Sequence, residues 1–239
     1  MKRHLIATLA FGLALMTANA ASAGPFEDGE AAYKLYNYVK AVRLWKPLAD
    51  KGDAKAQHRL ALMYDFGNGV AQNDKEAVRW YRLAAEQGHV LAQSHIGFMY
   101  YEGTGVTQDD KEAARWFRLA AEQGNPAAQE KLGFMYNNGR GVAQDDKEAA
   151  RWFRLAAKQG DPFSQSLLSL MYDRGQGVAQ DYALAHMWNN IAASLLTGEE
   201  SNKLSTLRAV ISEKMTPSQI EKAQEMARQC QASNFQQCD

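Results

Sequence analysis

Residues 108–121 read QDDKEAARWFRLAA, and residues 144–157 read QDDKEAARWFRLAA again, 36 positions further on. The stretch carries its own start signal and its own buried face. Asp109 is placed to cap a helix, and Glu112, three residues later, completes a capping box. Ala113, Trp116, Phe117 and Ala120 fall at i, i+3, i+4 and i+7, one apolar stripe of an α-helix. Gly124 follows where a left-handed C-cap is wanted. Asn125-Pro126 then opens a second helix, a cap followed by proline in the first turn. Ala128, Leu132, Met135 and Tyr136 give that helix its apolar face, and Gly139 and Gly141 punctuate the loop returning to Gln144-Asp145.

The spacing extends well beyond the verbatim copy. Met63-Tyr64, Met99-Tyr100, Met135-Tyr136 and Met171-Tyr172 are 36 apart, as are Gly52, Gly88, Gly124 and Gly160, and Trp80, Trp116, Trp152 and Trp188. One helical hairpin cannot bury a Trp, a Phe, a Leu and a Tyr by itself. Each such side chain contributes roughly 1.5–3 kcal/mol when fully buried, and stacked hairpins bury them all in one continuous core. Ala113, Ala120 and Gly133 leave room for neighbouring helices beside the large rings. The chain therefore reads as all-α, an α-solenoid of 36-residue helix-turn-helix repeats with helical end caps.

The pattern G-x-G-V-x-Q-[DN], A-x-x-W-[YF]-R-L-A-A-x-Q-G, A-Q…[IL]-G-F-M-Y resembles the Sel-one-like repeat family, which is tetratricopeptide-like. It stands here as GNGVAQN, AVRWYRLAAEQG and AQSHIGFMY within residues 67–100, and as GTGVTQD, AARWFRLAAEQG and AAQEKLGFMY within residues 103–136. The resemblance implies a right-handed solenoid in which the first helix of each pair lines a concave surface. It also implies an adaptor or regulator, with bacterial envelope signalling, polysaccharide export and host contact among the family's settings. One branch of that family is cysteine-rich, with a disulfide in each repeat and β-lactam binding or hydrolysis attached to it. Here no cysteine lies inside the repeats.

The organisation along the chain follows. Residues 1–23, MKRHLIATLAFGLALMTANAASA, read as a secretory signal peptide: a basic start at Lys2-Arg3, an apolar run, and a small-x-small ending. A cut after Ala20 and a membrane anchor are the alternatives, although the apolar run is shorter than the ~20 residues a spanning helix needs. Residues 24–37 are expected to form an N-terminal capping helix. The array then covers 38–196, in units near 38–73, 74–109, 110–145 and 146–181 with a final helix to 196, and residues 197–239 form a helical cap and tail. Lys+Arg and Asp+Glu number 27 each, so losing the leader leaves a net charge of −2. That balance excludes a strongly basic nucleic-acid binder. Cys230 and Cys238 are close enough for a short-loop disulfide in an oxidising compartment, the alternative being two thiols in a frayed tail.

No chemistry-bearing motif stands out. His4 lies in the leader, and His58, His89, His95 and His186 occupy different registers, so they form no ladder. H-E-x-x-H, G-x-G-x-x-G, G-x-S-x-G and S-x-x-K are absent. The expectation is a protein that is not an enzyme, with no cofactor and no metal site. Its informative surface is the side of the tryptophan helices opposite the core. There Arg79, Arg82, Arg115, Arg118, Arg151 and Arg154 recur beside Lys75, Lys111 and Lys147. Either these are solvated charges paired with neighbouring glutamates, or they line a groove that grips a partner's carboxylates. The functional expectation is an exported monomeric scaffold, periplasmic or alternatively secreted, that binds another protein through an acidic or extended segment. An envelope enzyme acting on β-lactam or cell-wall material, or a secreted effector binding a host protein, are the competing readings.

Overall fold

The computed structural model describes residues 24–236 and 238; the expected leader, residues 1–23, lies outside them. Within the described residues the chain forms twelve α-helices: α1 (Pro25–Lys34), α2 (Tyr38–Asp50), α3 (Ala54–Phe66), α4 (Asp74–Glu86), α5 (Val90–Glu102), α6 (Asp110–Glu122), α7 (Pro126–Asn138), α8 (Asp146–Ala157), α9 (Pro162–Arg174), α10 (Tyr182–Leu195), α11 (Gly198–Glu213) and α12 (Pro217–Ala232). From α1 to α10 each helix packs on its neighbours in the chain, which makes the array an α-solenoid.

The helix boundaries follow the capping residues. Asn73, Asp109, Asp145 and Asp181 accept backbone N–H bonds at the starts of α4, α6, α8 and α10. Asp53, Asn125 and Asp161 do the same for α3, α7 and α9. At the other end of α5, Gly103 adopts the left-handed conformation, φ 75°, and donates its N–H to the Met99 carbonyl. Two residues on, Gly105 is needed for a second reason: a Cβ there would lie 2.5 Å from the Asp74 carbonyl oxygen at the start of α4. The glycine loop after α5 thus also meets the start of α4 backbone to backbone.

Aromatic rings fill the core. Trp45, Trp80, Trp188, Tyr81, Phe117 and Phe153 are fully buried or nearly so. The small residues on the facing helices are fitted to them. A Cβ on Gly97 would stand 2.8 Å from the Phe117 ring, and one on Gly133 would stand 2.8 Å from the Phe153 ring. At the N-terminal end Gly29 of α1 lies under Trp45, whose indole N–H donates to the Phe26 carbonyl.

A ladder of glutamines ties the repeats together. Gln57, Gln93, Gln129 and Gln165 are buried and donate to the carbonyls of Ala49, Ala85, Ala121 and Ala157 at 3.0–3.1 Å. The first three also accept, at 2.7–2.8 Å, from the side chains of Gln87, Gln123 and Gln159. Each thereby adds a bond between helices to a carbonyl at a helix end that also accepts a backbone N–H, as Ala121 does from Gly124 at 3.0 Å. The fourth rung stops. Leu195 stands where the next glutamine would be, and Gln165 Oε1 is buried without a partner.

Beyond α10, the helices α11 and α12 pack against it and close the end of the array. Thr216 and Gln219 form a reciprocal capping box at the start of α12. Cys230 and Cys238 are joined by a disulfide and are buried with Ala157, Leu168 and Trp188. Phe235, inside the disulfide loop, reaches back over Gly160.

Candidate interaction face

The six arginines singled out from the sequence divide into two rows with different surroundings. Arg79, Arg115 and Arg151 form the outer row, their side chains 55%, 51% and 55% exposed. Each pairs with the glutamate one turn earlier: Arg79 with Glu76 at 3.3 Å, Arg115 with Glu112 at 2.9 Å and Arg151 with Glu148 at 3.2 Å. Each guanidinium also lies over the indole that follows it in sequence, 4.3 Å from the Trp80 ring, 4.1 Å from Trp116 and 4.5 Å from Trp152. The glutamate and the indole restrain the guanidinium, while more than half of each arginine side chain stays open to solvent.

The inner row is already engaged. Arg82, Arg118 and Arg154 donate from Nη2 to the hydroxyls of Tyr100, Tyr136 and Tyr172 at 2.6, 2.8 and 2.6 Å. Those tyrosines lie on α5, α7 and α9, so these arginines join consecutive helices and are half-buried. A helical wheel puts Arg115 and Arg118 in the same outward sector. The neighbouring helix, which a wheel does not contain, takes Arg118 into the packing.

Shallow grooves border the outer row. One, of about 530 Å³, is lined by Lys75, Arg79, Arg82, Leu83, Glu86 and Val106. Another, of about 540 Å³, is bounded by Glu122, Gln129, Arg151, Trp152, Leu155 and Lys158, with Gln236 of the tail at its edge. Leu83, Leu119 and Leu155 recur at one position along this face, and Leu119 and Leu155 are exposed. The surface is therefore a repeated set: an outer guanidinium over an indole, a lysine one turn earlier and a leucine one turn later.

The histidines do not repeat, yet three of them meet. His58 of α3 stacks on His89 with ring centroids 4.6 Å apart, and it lies 5.4 Å from His95 of α5. His95 in turn stacks on Tyr81 of α4 at 4.9 Å, and the Tyr81 hydroxyl donates to Asp65 at 3.1 Å. Burial, with the neighbouring His89, His95 and Arg59, lowers the His58 pKa to about 3. Burial also lowers His89 and His95, and burial followed by Asp65 raises Tyr81. His58 and His89 lie 31 positions apart, off the repeat spacing, and different registers conceal a contact that packing across helices creates. Among the described residues no three His, Cys, Asp or Glu side chains are placed to hold a metal ion. No helix there is long and apolar enough to cross a membrane.

Comparisons with known proteins bear on the whole array. A family model for the Sel1 repeat matches at residues 24–53, 54–89, 90–125, 126–161 and 162–195. This division pairs α1 with α2, α3 with α4 and so on to α10, half a unit out of phase with one drawn from the glycine loops. A protective antigen of uropathogenic Escherichia coli strains displaying an SLR fold is 34% identical, with a TM-score of 0.76 over 88% of this chain and 46% of the antigen. The chain thus spans less than half of the antigen's length. A Sel1 repeat protein from Oxalobacter formigenes is 35% identical, with a TM-score of 0.68 over 72% of this chain and 68% of that one. No curated protein matches.

Proposed function

Because the chain belongs to the Sel1 repeat family, whose members generally mediate protein–protein interactions, we propose that it is a non-enzymatic scaffold that captures an extended, acidic segment of another protein. The observation that carries this reading is the threefold recurrence of an exposed guanidinium over an indole, with a leucine beside it, on α4, α6 and α8. A guanidinium already oriented loses little freedom when it receives a carboxylate bidentately. The adjacent leucines offer apolar contact at the same repeat, so a segment alternating acidic and apolar residues would follow the array.

In this proposal Arg79, Arg115 and Arg151 contact the partner. Arg82, Arg118 and Arg154 hold the face together. The protein works as a monomer, needs no cofactor and no nucleic acid, and acts as an adaptor or regulator in the bacterial envelope. Its place is the periplasm, with full secretion as the alternative, on the strength of the leader-like residues 1–23 and the paired cysteines.

Affinity capture from an envelope fraction, with the array as bait, tests the reading. Charge reversal of Arg115 and Arg151 together, each to Glu, should reduce recovery of the partner at least about tenfold, since charge-assisted bonds at two sites are lost. Raising the salt concentration should act in the same direction. Capture that survives both changes would refute the proposed contact face.

A further inference from the structure

A second concavity lies apart from the arginine face, at the N-terminal end of the array. A pocket of about 290 Å³ opens between α1, α3 and α5, lined by Phe26, Lys55, His58, Arg59, His89 and Leu91, with Glu30 at its wall. Its charges are unequally committed. Glu30 is taken by Arg59, whose Nη2 donates to Oε2 at 2.8 Å and whose Nε lies 2.5 Å from Oε1. Lys55 is exposed and has no partner among the described residues.

Two imidazoles complete the lining. His58 is only 5% exposed, and its Nε2 is buried with no hydrogen-bond partner. His89 is the N-cap of α5, and its Nδ1 accepts the Ala92 N–H at 3.3 Å. In the neutral ring the proton therefore sits on Nε2, which is a donor. The corresponding caps of the other repeats are the oxygen acceptors Asp53, Asn125 and Asp161. Opposite these groups, Phe26 and the half-exposed Leu91 supply apolar walls.

We propose that this pocket binds a small organic acid, one carboxylate on an apolar body, with Lys55 and His89 holding the carboxylate beside the buried His58 ring and Phe26 and Leu91 holding the body. The observation that points to a ligand is an exposed ammonium without an ion-pair partner among the described residues and an imidazole donor, set against apolar walls in one pocket. The full charge of Lys55 and the first turn of α5 make that ligand an anion. A metal ion does not fit, because the rings of His58 and His89 lie stacked, 24° between planes, and no ligand set converges among the described residues.

The geometry also couples binding to a proton. A carboxylate beside the stacked rings favours the imidazolium form, which burial and the cations of α3 otherwise disfavour. The charged and titratable groups facing the rings are Glu30 of α1, Lys55, Arg59 and Asp65 of α3, Asp53 at its cap, Tyr81 of α4 and His95 of α5. The acid should therefore arrive with a proton and bind more tightly as pH falls.

Titration calorimetry on the whole protein with phenylacetate, and with the uncharged phenylacetamide, tests this. Phenylacetate should bind saturably at one site, at least about tenfold more tightly than the amide, as expected when a charged hydrogen bond replaces a neutral one. It should bind more tightly at pH 5.5 than at pH 7.5, with a heat that varies with the ionisation enthalpy of the buffer. Lys55→Met, at an exposed site where the fold is not at stake, should weaken binding about tenfold, and His58→Gln should reduce the proton uptake. Equal binding of the amide, indifference to Lys55→Met, or no saturable heat at either pH would each overturn the proposal. Partner capture by the arginine face should be unchanged in Lys55→Met, so the two sites fail separately.

Discussion

At the residue scale the histidine stack makes the N-terminal repeats sensitive to acid. His58 titrates near its ordinary value of 6.5 in the unfolded chain and near 3 in the folded one. Between those values the unfolded state binds the additional proton, so folding stability falls as pH drops through that window. At pH 5 His58 alone should cost about 2 kcal/mol relative to pH 7.5, with His89 and His95 acting in the same direction because burial lowers both. Urea unfolding at the two pH values should show that loss, and His58→Gln should reduce it while leaving the slope against denaturant unchanged. A variant that loses as much as the parent would locate the acid sensitivity elsewhere. The same local scale explains which parts of the chain were legible. Caps, glycine C-caps and inward faces are set by residues within one turn of each other, so Asp109, Gly103 and Trp116 can be read directly. His58 and His89 cannot, because what brings them together is the packing of α3 against the helices that follow.

At the scale of elements, the glutamine ladder supplies what the helix hairpins lack. Each tryptophan helix ends at a carbonyl that accepts the N–H of the glycine after it, and the buried glutamine of the following helix adds a second, interhelical bond to it. Gln129 bonds the Ala121 carbonyl at 3.0 Å and accepts from Gln159 at 2.8 Å. Gln129→Ala should therefore remove both bonds by which Gln129 ties α7 to its neighbours and open a cavity, a loss of about 2–4 kcal/mol. Gln159→Ala removes the exposed member of the pair and leaves Gln129 Oε1 without its donor, a smaller loss of about 1 kcal/mol. Denaturant unfolding of both variants checks the ordering, and equal losses would mean that the ladder adds nothing beyond side-chain packing. The A-Q pair of the repeat was visible in the sequence as a pattern. Its role was not, because the partners of Gln129 are α6 and α8, and a helical wheel of α7 shows neither. The arginine rows divide for the same reason: Arg118 leaves the outward face only because Tyr136 on α7 receives it.

At the scale of the whole molecule, a solenoid is quasi-one-dimensional, and its stability depends on how its ends are closed. The N-terminal end is closed by α1, fitted under Trp45 through Gly29. The C-terminal end is where the repeat chemistry runs out: Asn189 holds the position of Tyr81, Phe117 and Phe153, it is buried, and neither of its side-chain polar atoms has a partner. There α11, α12 and the loop closed by Cys230 and Cys238 cover the last core layer, with Cys238 buried against it and Phe235 over Gly160. The loop has a sequence separation of 8, so its closure should contribute about 2–3 kcal/mol in the chain-entropy account of disulfides. Because each unit contacts only its neighbours, that contribution should be spent locally. Reduction, or Cys238→Ser, should increase amide hydrogen exchange in α10, α11, α12 and the end of α8, while α3 to α6 keep their protection. Exchange that rises evenly along the array would show that the molecule unfolds as one cooperative unit, with the tail stabilising all of it. Protection lost only at the C-terminal end would mean that the arginine face of α4 and α6 can persist after the cap has opened, and that the groove bordered by Gln236 is the part of the face the disulfide controls.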